Sequence, residues 1–210
     1  MTATTELGYD DLPALLTRLT GDEKHDSSSY STLDVVWALY DRVLGPDDRF
    51  LLSKGHGPTA YYAILAAKGI LPVEALDGFG GFESTLGHHP DRLLVPGVEI
   101  SSGSLGHGLP IAVGVALTGR RTFVLVGDGE LEEGSNWEAV QYAGRAKIET
   151  LTTIVIDNAS APYGWPGGIE ERFALEGWRT RRVDGRDHDA IERALCERGG
   201  PRCVVAEVRG

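Results

Sequence analysis

Residues 122–158 read TFVLVGDGELEEGSNWEAVQYAGRAKIETLTTIVIDN, and their pattern decides the fold. TFVLVGDG is an unbroken apolar run that stops at Gly-Asp-Gly, NWEAVQYAGRAK has helical spacing, and LTTIVIDN is a second apolar run. Strand, helix and strand in that order form one β-α-β unit. Apolar runs without alternation indicate strands buried on both faces of a parallel sheet. A right-handed crossover brings the carboxyl ends of two such strands to one edge, so Asp128 and Asn158 converge there. That edge is where open α/β sheets bind ligands.

The alternation continues outward. IEERFALEG, WRTRRVDG, DAIERALCERG and RCVVAEV read as helix, strand, helix and strand. Upstream, DLPALLTRL reads as a short amphipathic helix, and STLDVVWALYDRVL as a longer one with Ser31 and Asp34 placed as a capping box. RFLLS is a short strand, PTAYYAILAAKG a helix ending at Gly69, and LPIAVGVALTG an apolar helix rich in small residues. Residues 79–102 are loop-like, with many Gly, Pro and His. The expected fold is α/β: an open, mainly parallel twisted sheet with helices on both faces. It forms a single domain over 1–210, with 1–48 as an N-terminal helical segment packed on it.

Composition narrows the function. A formal charge of −11 argues against nucleic acid and anionic membranes, which both reward clustered Lys and Arg. No apolar run is long enough to span a bilayer, and the acidic start MTATTELGYDD is unlike a signal peptide. Cys196 and Cys203 match no zinc spacing. The expectation is a reduced, cytoplasmic, soluble protein. Glycine numbers 28 and clusters in SKGHGP, GFGGF, SSGSLGHG and VGDGE, loops that let backbone approach a ligand closely.

The acids after the apolar run TFVLVG need a reason, because like charges crowded together cost stability. Asp128 and Asn158 offer hard oxygens suited to Mg²⁺ or Ca²⁺. Gly127 and Gly129 let backbone N–H groups reach a phosphate, and the following helix offers its N-terminus. Together these point to a metal–diphosphate site. Five of the six histidines, His25, His56, His88, His89 and His107, precede Gly-Asp-Gly. Four of them sit beside Gly or Pro in loops, a setting that suits proton handling near neutral pH. His188 stands at a helix start among acids and reads as structural.

RFLLSKGHG, PGVEISSGSLGHG and GDGELEEGSNWEA…IDN, in that order, resemble the N-terminal, thiamine-diphosphate-binding part of transketolases. The resemblance runs over residues 9–210. It implies transfer of a two-carbon ketol (glycolaldehyde) unit from a ketose to an aldose, free or phosphorylated, with thiamine diphosphate and Mg²⁺ (or Ca²⁺) bound. By resemblance Asp128, Asn158 and the Ser160 main-chain carbonyl hold the metal, and Gly129 lends its N–H to the diphosphate. His56 lies near the diphosphate and the reactive carbon, and His89 contacts the donor sugar. A one-residue shift in HHPD would exchange His88 for His89. His25 touches substrate hydroxyls. Gly103 and Leu105 pack on or bond the aminopyrimidine. Glu133 and Glu138 resemble acids of the partner contact, where a proton network links paired sites. Glu130 and Glu132 read as solvated or helix-N-terminal charge.

The sequence also departs from the family. Asp26 and Ser27 replace Pro-Gly after the first histidine, His107 replaces a Gln, and APYGWPGG after Asn158 is unusual. The chain ends at CVVAEVRG, without the family's pyrimidine-binding and C-terminal domains. The expectation is therefore the N-terminal subunit of a split transketolase, active with a separate C-terminal subunit, as α2β2. The alternatives are a non-catalytic assembly or binding subunit, or another thiamine diphosphate enzyme such as 1-deoxyxylulose-5-phosphate synthase. PGVEISSGSLGHG weighs against the last.

Overall fold

A computed structural model describes residues 7–209. Five parallel strands form one sheet in the order β1-β2-β3-β5-β4: β1 (Arg49–Leu52), β2 (Thr122–Gly127), β3 (Leu151–Asp157), β4 (Arg179–Asp184) and β5 (Arg202–Glu207). The expected parallel α/β sheet is the observed one.

Alternate residues of β1, β2, β3 and β5 feed two apolar layers, as the period-2 pleat requires. Phe50, Phe123, Leu125, Ile154, Ile156 and Val204 face one layer. It is closed by α1 (Leu12–Leu16), α2 (Asp26–Ala38), α3 (Thr59–Ala67) and α7 (His188–Cys196). Leu51, Val124, Val126, Val155, Cys203 and Val205 face the other. There α4 (Gly108–Ala116), α5 (Gly134–Ala146) and α6 (Ile169–Leu175) close it. The chain steps from β3 past β5 to β4, then returns through α7 on the opposite face. Reversing direction along the sheet moves a right-handed crossover to the other side.

Three local readings change. The long helix begins at Asp26, five residues before Ser31, so Ser31 and Asp34 lie in its interior and form no capping box. Ser31 donates back to the Ser28 carbonyl, and Asp34 is buried against other elements. The helix then runs on through a widened π turn, Leu39–Val43. Second, β4 is an edge strand whose Arg179, Arg181 and Arg182 are exposed, so unlike β2 and β3 it is not covered on both faces. Third, a 3-10 turn, Glu130–Glu132, separates Gly-Asp-Gly from α5, whose N-terminus therefore does not follow Asp128 directly.

The first six residues of the expected N-terminal segment lie outside the described part. From residue 7 onward, α1 and α2 pack on α3, and α2 also packs on α7. Cys196 is exposed at the end of α7, and Cys203 is buried in β5, where burial pushes its thiol up. Among the described residues, no helix is long and apolar enough to cross a membrane.

Candidate functional site

β2 and β3 are neighbours, and the Asp128 N–H donates to the Ile156 carbonyl at 2.9 Å, so the two strands leave the sheet side by side. Asp128 is buried, at 1% exposure. One carboxylate oxygen accepts the Ser160 hydroxyl, and the other accepts the Ala161 N–H at 3.1 Å. Ala159 adopts a left-handed backbone (φ 56°), a conformation that costs an L-residue about 1 kcal/mol. This turn folds the chain back so that Ser160 lies beside Gly129: a Cβ built there would sit 3.6 Å from the Ser160 carbonyl oxygen. Asn158 donates weakly to Ser31 Oγ at 3.5 Å, while its Oδ1 is buried without a hydrogen-bond partner. A buried amide oxygen left unbonded is costly unless something else coordinates it. A carboxylate, an unbonded amide oxygen and a nearby carbonyl fit a hard divalent cation.

Glu130 is not a solvated charge. It is 3% exposed and accepts the Ser53 hydroxyl, the Gly106 N–H at 2.9 Å and the Gly127 N–H at 3.3 Å. One carboxylate thus ties together the loops after β1, before α4 and after β2. Burial pushes it up, and its hydrogen bonds only partly oppose that. The nearby cation is Lys54, itself buried, whose amine donates to the Ser28 carbonyl at 2.7 Å and to Ser28 Oγ. Burial lowers Lys54 to about 8, against the pull of Asp128 and Glu130. Glu132 is exposed.

The histidines form a row. The rings of His25 and His56 lie 5.8 Å apart between centroids, and those of His56 and His89 4.8 Å apart. Gly103, at φ 134°, packs so tightly on His89 that a Cβ would come within 2.7 Å of the ring. His88 turns away from this row, packing edge-on against Phe79 with its Nδ1 3.5 Å from Asp22. Hence His89, of the two, joins His56. Burial lowers both His56 and His89, and the neighbouring imidazoles add to it. His107 is an exposed N-cap of α4, apart from these ring contacts.

Glu133, Glu138 and Leu105 are exposed on this chain. Glu133 packs against Gly106 (φ 82°), where a Cβ would come within 2.6 Å of the Glu133 side chain. Glu138 stands on the outer face of α5. Neither acid's side chain has a hydrogen bond or ion pair among the described residues. Trp165 donates to the Asp128 carbonyl at 3.2 Å and packs tilted against Trp137 with ring centroids 5.5 Å apart, so the unusual loop supports Asp128.

Sequence reasoning missed Asp22, Ser28, Lys54 and Glu130. Only Lys54 had a signal, lying inside the SKGHG loop; Asp22 and Glu130 are defined by burial and Ser28 by the bonds it makes.

The chain matches the family described as transketolase, thiamine diphosphate binding domain, over residues 38–199. One of the subunits of the apulose-4-phosphate transketolase of Actinobacillus succinogenes is 41% identical, over 87% of this chain and 75% of that protein. A protein of Rhodococcoides fascians bearing the name ferredoxin fas2 is 54% identical, over 97% of this chain and 73% of its own length. An iron–sulfur cluster of the ferredoxin type takes four cysteine thiolates, and this chain has two cysteines. The structure of a transketolase from Leishmania mexicana superposes with a TM-score of 0.74 at 24% identity. That match covers 97% of this chain and 37% of the other, so the chain spans little more than a third of it.

Proposed function

Because the chain belongs to the transketolase family through its thiamine diphosphate-binding domain, we propose that it is the cofactor-binding subunit of a two-chain transketolase. It would act in carbohydrate metabolism, in a reduced cytoplasmic setting, with a C-terminal subunit that supplies the pyrimidine-binding side. The relationship to a protein named as one of several transketolase subunits, matched over 75% of its length, supports the two-chain reading.

The observation that carries the proposal is the oxygen set at two adjacent strand ends: buried Asp128, and Asn158 with a buried, unbonded Oδ1. Asp128, Asn158 Oδ1 and the Ser160 carbonyl would hold Mg²⁺, and Gly129 would lend its N–H to a diphosphate. Thiamine diphosphate, when bound, supplies the nucleophilic carbon and the electron sink for breaking and making a carbon–carbon bond. This chain's residues would orient and protonate. His56 and His89, both lowered by burial, stay neutral near pH 7 and so accept protons from sugar hydroxyls. Gly103 holds His89 in place by contact, and Glu130 fixes the three loops. Glu133 and Glu138, exposed and unpaired among the described residues, would meet the partner, as would the open face of α4 with Ile111 and Leu117.

The test is reconstitution. The chain, its C-terminal partner, thiamine diphosphate and Mg²⁺ should transfer a ketol unit from at least one of a panel of free and phosphorylated ketoses. Absence of transfer across the panel, with a partner active beside another N-terminal subunit, would sink the proposal. Asp128→Ala should abolish transfer and metal-dependent cofactor retention, measured by calorimetry. A chain serving only in assembly would tolerate that change. The segment that departs from the family does not favour that second reading: Ser28 holds both the Lys54 amine and the His56 carbonyl.

A further inference from the structure

Asp22 lies in GDEKHD, a surface segment whose Gly21, Glu23 and Lys24 are exposed, yet its own side chain is only 1% exposed. Its Oδ1 lies 2.7 Å from His25 Nδ1, and its carbonyl accepts the His25 N–H at 2.8 Å. The same Oδ1 is 3.5 Å from His88 Nδ1. Its Oδ2 is buried with no hydrogen-bond partner. The backbone bond alone would close the turn, so the fold does not need a buried carboxylate here. Burying one costs several kcal/mol unless it is paired. Among the described residues no Arg or Lys pairs with it; its two neighbours are imidazoles.

We propose that Asp22 is a positioning residue for His25, fixing the imidazole as the Nδ1–H tautomer so that Nε2 accepts a proton from a substrate hydroxyl. The proposal rests on the reading that His25 faces the sugar. A carboxylate on one ring nitrogen places the proton there and leaves the other with its lone pair. Nε2, on the far side of the ring, has no hydrogen-bond partner among the described residues. The ring lies beside His56, and Gly57 at φ 70° packs against the His25 carbonyl, so the dyad is built into the row of histidines. In the step, the hydroxyl proton bonds to Nε2 and the O–H electron pair stays on oxygen. The Nδ1 proton stays between the ring and Asp22, whose charge balances the imidazolium. The charged and titratable groups facing the dyad are Lys24, Lys54, His56, His88 and His89. Glu23, whose carboxylate feels the Asp22 charge, is a second acid beside the dyad and is exposed to solvent. Asp22 Oδ1 also lies 3.5 Å from His88 Nδ1, in the loop that carries His89.

The test begins with the full chain carrying ¹⁵N-labelled histidine. Two-bond ¹⁵N–¹H correlation above the histidine titration range should show His25 as the Nδ1–H tautomer. In Asp22→Ala it should shift to mainly Nε2–H. Asp22→Asn keeps an acceptor oxygen and guards against a folding defect: the tautomer should persist without the balancing charge. In the reconstituted enzyme, Asp22→Ala should lower kcat by about 100-fold and Asp22→Asn by about 10-fold, with KM for the ketose changed little. An unchanged tautomer in Asp22→Ala, or an unchanged kcat in both variants, overturns the proposal. If His25→Ala transfers at the wild-type rate, the reading beneath it fails instead, and the two failures come from separate measurements.

Discussion

Glu130 and Asp34 are carboxylates at nearly the same depth, 3% and 5% exposed, in opposite electrostatic settings. Asp34, inside α2, accepts the Tyr9 hydroxyl at 2.5 Å, the Arg186 guanidinium, and His188 Nε2 at 2.9 Å. Burial pushes it up, but these three partners outweigh burial and hold it below its ordinary value of 3.8. Tyr9 shows the complement: burial and Asp34 push it up to about 12. Glu130 has two N–H groups, a hydroxyl and a more distant Lys54, and burial wins. The first carboxylate is matched where it locks α2 to α7 and to Tyr9. The second is undercompensated where three loops of the proposed site meet. Matched burial marks a structural lock, whereas unmatched burial marks a place where stability is given up for loop geometry.

The largest break in this contrast should come from Glu130→Ala. It strands two buried N–H groups and the Ser53 hydroxyl, and should cost about 3 kcal/mol in urea unfolding. Thiamine diphosphate retention with Mg²⁺ should fall with it. Asp34→Ala should cost about 2 kcal/mol, since Arg186 is half exposed and can turn to water. Cofactor retention in the assembled enzyme should be unchanged. Equal loss of cofactor in both variants would erase the distinction.

Acid sharpens the contrast further, with opposite signs. Asp34 is lowered, so its stabilisation is fully present above 3.8 and is lost as pH falls through its folded value. Glu130 is raised from 4.5, so its contribution is fully present below 4.5 and is lost as pH rises through its folded value. Denaturant titrations across this range should therefore show Asp34→Asn costing more at neutral pH than in acid, and Glu130→Gln costing more in acid. Parallel slopes would refute the assignment. The smallest effect should be Trp165→Phe, which keeps the ring contact with Trp137 but deletes the hydrogen bond to the Asp128 carbonyl. About 1 kcal/mol is expected from thermal unfolding.

Regular elements were legible because their periods are strong: TFVLVG and LTTIVID, buried on both faces, can hardly be anything but inner strands. The convergence of Asp128 and Asn158 followed from topology alone. The start of α2 was not legible. HDSSSY is rich in residues that favour caps and turns, and it becomes helical because Ser29 bonds Thr59 and the Ala60 N–H while Ser28 bonds the His56 carbonyl. Asp22 and Glu130 were hidden for a different reason. Each sits among charged neighbours that are exposed, and only tertiary packing separates the buried acid from the solvated ones. The row His25–His56–His89 came from resemblance; nothing in the spacing of these residues along the chain requires their rings to touch.

The two cysteines give the molecule a practical asymmetry. Helices of a parallel sheet run back against the strands, so the end of α7 lies at the amino edge, away from the loops of the proposed site. Cys196 is therefore an accessible attachment point for a single fluorophore, while Cys203 stays shielded inside β5. Slower tumbling of a dye at Cys196 would time the arrival of a second chain without placing any label on the residues that meet cofactor or sugar.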